Sequence, residues 1–203
     1  MRRIFVLFAA LASILFSCKK HYYNETRIIR VGSPIAGVWD FKSMDAQTQS
    51  SDEIKMGRLN QKTDATLNYV TENNDGRLMI TDSVITAIGL TYTISSNIKT
   101  YNYRNGVLAD SSETPYNISF YESQSTCTYK MIGDDSVSFP KGAFTNISAS
   151  TLRTDPLAAK IIFKGDTLTF KEYIYKDTTV VKLGTVYHTI QTGTAVMNVV
   201  KHK

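Results

Sequence analysis

The stretch IGLTYTISSNIK, residues 88–99, puts Ile88, Leu90, Tyr92, Ile94, Ser96 and Ile98 on even positions and Gly89, Thr91, Thr93, Ser95, Asn97 and Lys99 on odd ones. Successive side chains of a strand point to opposite faces, so this two-residue period predicts a strand with one buried and one wetted side. The same period returns in 167–175, where Leu168, Phe170 and Ile174 share a side, and in 195–199 with Ala195, Met197 and Val199. Tyrosine, threonine, valine and isoleucine dominate these runs, as strand surfaces favour. Turn signals separate them: Asn73-Asn74-Asp75-Gly76, Asn105-Gly106, Gly133-Asp134-Asp135 and Gly165-Asp166. Such pairs supply the positive φ of tight hairpins.

Candidate strands lie near 35–44, 54–60, 64–72, 77–88, 89–104, 107–121, 125–131, 136–140, 160–164, 167–176, 178–191 and 194–201. Merging some of them leaves about eight to ten. No run holds a 3.6-residue period; the best short helical candidate is Thr154 to Lys160, where Asp155 and Pro156 would start one turn. An all-β chain of neighbouring hairpins must hide its apolar faces and protect its edges. An antiparallel up-and-down β-barrel does so with the simplest connections.

The chain begins Met1-Arg2-Arg3 and then runs from Ile4 to Ser17 without a charge before Cys18. As a helix this run covers roughly 21 Å, short of a bilayer's hydrocarbon layer. A positive start followed by a short apolar run reads as an export signal over 1–17. Leu15-Phe16-Ser17-Cys18 resembles the lipobox of bacterial lipoproteins, with Phe16 departing from the usual small residue. That resemblance implies cleavage before Cys18 and its acylation, which fastens the protein to a membrane without a span. The alternative is a secretory signal cut elsewhere. Residues 18–34, with five basic side chains and a Gly-Ser-Pro end, read as the lipidated cysteine and its tether, and 35–203 as one domain.

The single tryptophan stands in PIAGVWDFKSM, where the tether ends. Gly37-Val38-Trp39 resembles the Gly-x-Trp start of the lipocalin superfamily. With the lipobox and the closing GDTLTF hairpin, the chain resembles lipocalin-like lipoproteins of Gram-negative envelopes. The resemblance implies a lipocalin-like barrel with Trp39 closing its lower end, able to take a small apolar or amphipathic ligand. The chain has no Thr-Asp-Tyr triplet and no arginine after the last strand to stack on Trp39. Lys182, Lys201 and Lys203 are the cations near that end.

Little here suggests catalysis. His21 lies in the tether and His202 is next to last, which leaves His188 as the one histidine inside the domain, expected as a packed or rim residue. No triad, thiol pair, metal-ligand spacing or phosphate loop occurs. Cys127 reads as a small buried hydrophobe. TENNDGRLMITD (71–82) starts like a calcium loop, but Thr71 replaces its first carboxylate and a hairpin turn explains it better. Asp-Ser/Thr triplets at 82–84, 135–137, 166–168 and 177–179 resemble O-glycosylation acceptors, although turns meeting strands also produce them.

Without Arg2 and Arg3 the chain keeps 21 basic against 18 acidic residues, a formal +3, too mild for a nucleic-acid partner. The expectation is therefore a non-enzymatic, cofactor-free envelope lipoprotein. It is lipid-anchored through Cys18, on the outer membrane's periplasmic side, and binds a small ligand. The alternative is an interaction or structural subunit of an envelope complex, using exposed tyrosines such as Tyr101 and Tyr103.

Overall fold

The computed structural model describes residues 32–140 and 158–203, and these are all-β. Ten antiparallel strands follow one another: β1 (Gly37–Met56), β2 (Leu59–Val70), β3 (Glu72–Ile80), β4 (Val84–Arg104), β5 (Val107–Thr128), β6 (Lys130–Ile132), β7 (Ser136–Ser138), β8 (Ala158–Lys164), β9 (Thr167–Lys182) and β10 (Thr185–Lys201). Cys18, the tether and residues 154–157 of the helical candidate lie outside the described residues. Residues 158–160 are strand.

Each strand pairs with a neighbour in sequence, apart from the seams that β1 makes with β10 and with β3 and that β2 makes with β4. β2 and β3 run on through Thr71, and β5 and β6 through Tyr129, so the ten segments form eight staves. From β1 the pairing passes through β3 and β4 to β5, continues into β6, and returns through β7, β8, β9 and β10 to β1. At this lower end the ring of ladders is complete, an up-and-down barrel-like wall without an open edge. Tyr129 stitches the β5–β6 joint to the turn before β4: its N–H donates to the Ser83 carbonyl at 2.8 Å and its hydroxyl to the Thr81 carbonyl at 2.6 Å.

Higher up the ring opens. The β8–β9 ladder stops at Ala159 opposite Glu172, and β7 is three residues long. Six staves, β9, β10, β1, β2, β4 and β5, continue upward to three hairpin turns. These are Gly57–Arg58, Asn105–Gly106 and Leu183–Gly184, with positive φ at Gly57, Asn105, Gly106, Leu183 and Gly184.

Inward-facing side chains pack the closed end. Ile35, Met44, Leu78, Ile85, Tyr129, Val137, Phe139, Leu168 and Val199 are almost wholly buried, with Trp39, Phe41, Ile161, Phe170 and Met197 among them.

Several expectations change: 45–53 continue β1, and the turns at Gly57–Arg58 and Leu183–Gly184 interrupt the runs 54–60 and 178–191. Asn73-Asn74-Asp75-Gly76 is no turn: it lies inside β3, where Asn73 (φ 52°) and Gly76 (φ 105°) make an irregular corner. The break expected between 88 and 89 is a bulge inside β4. Against β3, β4 carries one extra residue between Ile88 and Thr91, where Gly89 has φ 60°, so Ile88 faces outward while Leu90, Tyr92 and Ile94 face the core. The breaks expected near 177 and 192 are absent too, because β9 runs to Lys182 and β10 is continuous through Gly193.

Candidate functional site

A row of directly opposed residues crosses the interior where the closed ring ends. It runs Tyr69 (β2), Ala46 (β1), Ala195 (β10), Glu172 (β9), Ala159 (β8), Val137 (β7) and Met131 (β6). Glu172 alternates in phase with Leu168, Phe170 and Ile174, so the strand itself turns its carboxyl inward. It is 6% exposed, and three of its neighbours in the row are alanines. Among the described residues no hydrogen bond or ion pair reaches that carboxyl, and burial alone pushes its pKa up to about 8. At neutral pH it is therefore mainly the neutral acid, able both to donate and to accept a hydrogen bond.

Across the interior from Glu172 stand three tyrosines. Burial raises the hydroxyls of Tyr69 and Tyr92 far above the usual range and that of Tyr116 less, with mutual proximity adding to the first two. Tyr92 is held between Phe120, stacked at 4.7 Å, and Phe41 at 6.0 Å. Thr48, Ser50 and Gln191 are buried on the same inner face just above the row. Above them Asp52 and Lys176 are exposed. From bottom to top the interior thus passes from an apolar packed floor, through a tier carrying one carboxyl and three phenols, to an open polar mouth.

The residues singled out from sequence lie elsewhere. Trp39 is 5% exposed at the closed end. Its indole N–H donates to the Ile35 carbonyl at 2.9 Å, and its ring meets Phe163 at 6.3 Å. Gly37 beside it has φ 145°. Lys201 stands opposite Trp39 in the β1–β10 ladder. Cys127 is buried on the inner face of β5. His188 is on the outer wall, 2.8 Å from Asp177 and 3.9 Å from Glu53. His202 lies 2.9 Å from Asp40. Among the described residues, no three or more histidine, cysteine or acidic side chains gather as metal ligands would.

The interior tier joins none of these residues. Its one sequence signal is a glutamate at an inward position of the strand 167–175.

The outer wall is polar along β1, which turns Asp40, Lys42, Asp45, Gln47 and Gln49 outward, and a shallow hollow of about 440 Å³ over β2, β1 and β10 is lined by amides and hydroxyls such as Gln47, Gln49, Asn68 and Thr194. Elsewhere on the wall Val70, Met79, Ile88, Tyr121, Tyr173 and Tyr175 are exposed.

No family model and no curated protein matches the chain. Among solved structures, the chain is similar to Ail, the attachment invasion locus protein of Yersinia pestis. That likeness covers 80% of this chain and 99% of that one, at 8% identity and a TM-score of 0.19, too low to bear on function.

Proposed function

We propose that the protein is a lipid-anchored envelope lipoprotein, held through Cys18, whose lipocalin-like barrel takes a small amphipathic ligand at its interior tier. The observation that carries the reading is Glu172, a buried carboxyl with no partner among the described residues, at the level where the wall opens. A buried polar group of this kind costs stability unless something pairs with it. The alanines at 46, 159 and 195 end at Cβ and put no polar group beside it, the apolar floor below suits a hydrocarbon portion, and the exposed mouth above offers a way in. The ligand's polar end, an amine or hydroxyl, hydrogen-bonds Glu172, and its apolar end points toward Phe41 and Phe170.

The test has two parts. Organic extraction and native mass spectrometry of the protein isolated from envelopes should reveal a bound small molecule. A dansylated alkylamine should then bind the wild type and lose roughly ten-fold or more in affinity to Glu172→Gln, the scale of one charge-assisted hydrogen bond. An empty protein that also ignores the amine ends the proposal. Fatty-acid probe labelling of the exported chain tests the anchor separately: absence of label at Cys18 removes it.

A further inference from the structure

The three turns at the open end finish level with one another. Met56 faces Thr185 across the β1–β10 ladder, which sets the first turn beside the third. The second is tied to the first: the Asn105 N–H donates to the Asn60 carbonyl at 2.7 Å, and the Asn60 N–H donates to Asn105 Oδ1 at 2.9 Å. Met56, Val107, Leu108, Val181 and Leu183 are all exposed on these tips, Leu183 completely. Single exposed apolar residues are ordinary, but five on three flush turns form a surface.

The charges carried on the turns themselves have one sign. Within three residues of each turn pair stand Lys55, Arg58, Arg104 and Lys182, and no acidic residue. Lys55 pairs with Glu53 at 3.0 Å; no ion pair among the described residues engages the other three. The turns at the closed end are mixed in sign, carrying Asp82, Asp134, Asp135 and Asp166 with Lys130 and Lys164 within three residues. Behind the tips stand Tyr101, Tyr103 and Tyr187, with the Lys62 ammonium 5.7 Å above the Tyr103 ring.

We propose that this rim is a lipid-contact surface, docking on a bilayer rich in anionic phospholipid. The tips enter the boundary between headgroups and acyl chains, Arg58, Arg104 and Lys182 meet the phosphates, and the tyrosines lie at headgroup level. Apolar tip, then cation, then tyrosine is the order of environments met on leaving a bilayer. Arg58, Arg104 and Lys182, which no ion pair among the described residues engages, give the contact its orientation. It does not depend on the ligand reading, since it uses none of the interior residues. Nor does an anchor at Cys18 decide which end faces the lipid, because residues 19–31 have a reach of up to roughly 45 Å.

The experiment uses residues 19–203, without the acyl group that would hold any variant on the vesicle, with an environment-sensitive fluorophore at Leu183→Cys, and in a second variant at Asp166→Cys on the closed end. The parent chain, treated identically, controls for Cys127, and circular dichroism checks that both variants keep the strand spectrum. With vesicles of phosphatidylcholine plus phosphatidylglycerol, the label at 183 should shift to the blue and be quenched by brominated acyl chains. The label at 166 should do neither. The double variant Arg58→Glu, Lys182→Glu should weaken vesicle binding about ten-fold or more. Equal response at 183 and 166 overturns the proposal, as does binding indifferent to phosphatidylglycerol or to the charge reversals. A blue shift that grows with protein concentration without vesicles overturns it in favour of a second copy on the rim.

Discussion

Glu172 shows what a single residue's surroundings do to its chemistry. Folding moves its pKa from the ordinary 4.5 up to about 8, so the folded state holds a proton that the unfolded chain has released between those values. Below about pH 4.5 the two states are equally protonated and the residue carries no pH-dependent penalty. Stability then falls as pH rises toward 8, and levels off above it. At roughly 1.4 kcal/mol per pH unit, the whole loss is on the order of 5 kcal/mol. Urea unfolding of wild type and Glu172→Gln from pH 4.5 to 8.5 checks this: the wild-type curve should slope and the variant's be flatter, whereas parallel curves would refute the buried acid. The inward phase of Glu172 was legible in the alternation of 168, 170 and 174. That Ala195 stands opposite Glu172 was not, because the Leu183–Gly184 turn that sets the β9–β10 register falls inside the run 178–191 read as one strand.

At the scale of elements, the bends decide where each stave goes. Thr71 is the corner where the β2 pairing with β1 hands over to β3. Its hydroxyl oxygen accepts the Met44 N–H at 2.9 Å while its own N–H donates to the Met44 carbonyl at 2.9 Å. Thr71→Val leaves a buried N–H without its acceptor and should cost about 1–3 kcal/mol in chemical denaturation, with Thr71→Ser restoring most of it. Gly76 is a second corner. A Cβ there would lie 2.5 Å from the Gly89 carbonyl oxygen, backbone against backbone, at φ 105°. Gly76→Ala should therefore destabilise by about 2 kcal/mol or more, while Gly57→Ala, which meets nothing within 4 Å and carries only the strain of its positive φ, should cost less. Equal midpoints for the two would contradict the close crossing. The Asn73–Gly76 run carried turn chemistry in its residue types, but positive φ serves a bulged corner as well as a reversal. Only the ladder partners of β3 distinguish the two.

For the whole molecule, closure rests on β10, which alone joins β1 to β9. Deleting residues 185–203 strips one ladder from each of those strands and exposes the core beside Trp39, Phe41 and Phe170. The truncated chain should lose its cooperative thermal transition; a sharp transition in calorimetry would show that the ring is dispensable. The sequence by itself determined the all-β class, the antiparallel neighbour pairing and the inward set around Leu168, Phe170, Met197 and Val199. These follow from a period of two and from local turn chemistry, both confined to a few adjacent residues. Only the tertiary structure decided that the staves close through β1 and β10, that the wall opens above Glu172, and that Met56, Val107 and Leu183 share one rim with Arg58, Arg104 and Lys182. Most of those relations join residues fifty or more positions apart, where the twist and bulges of every intervening strand set the distance and no short-range pattern encodes the result.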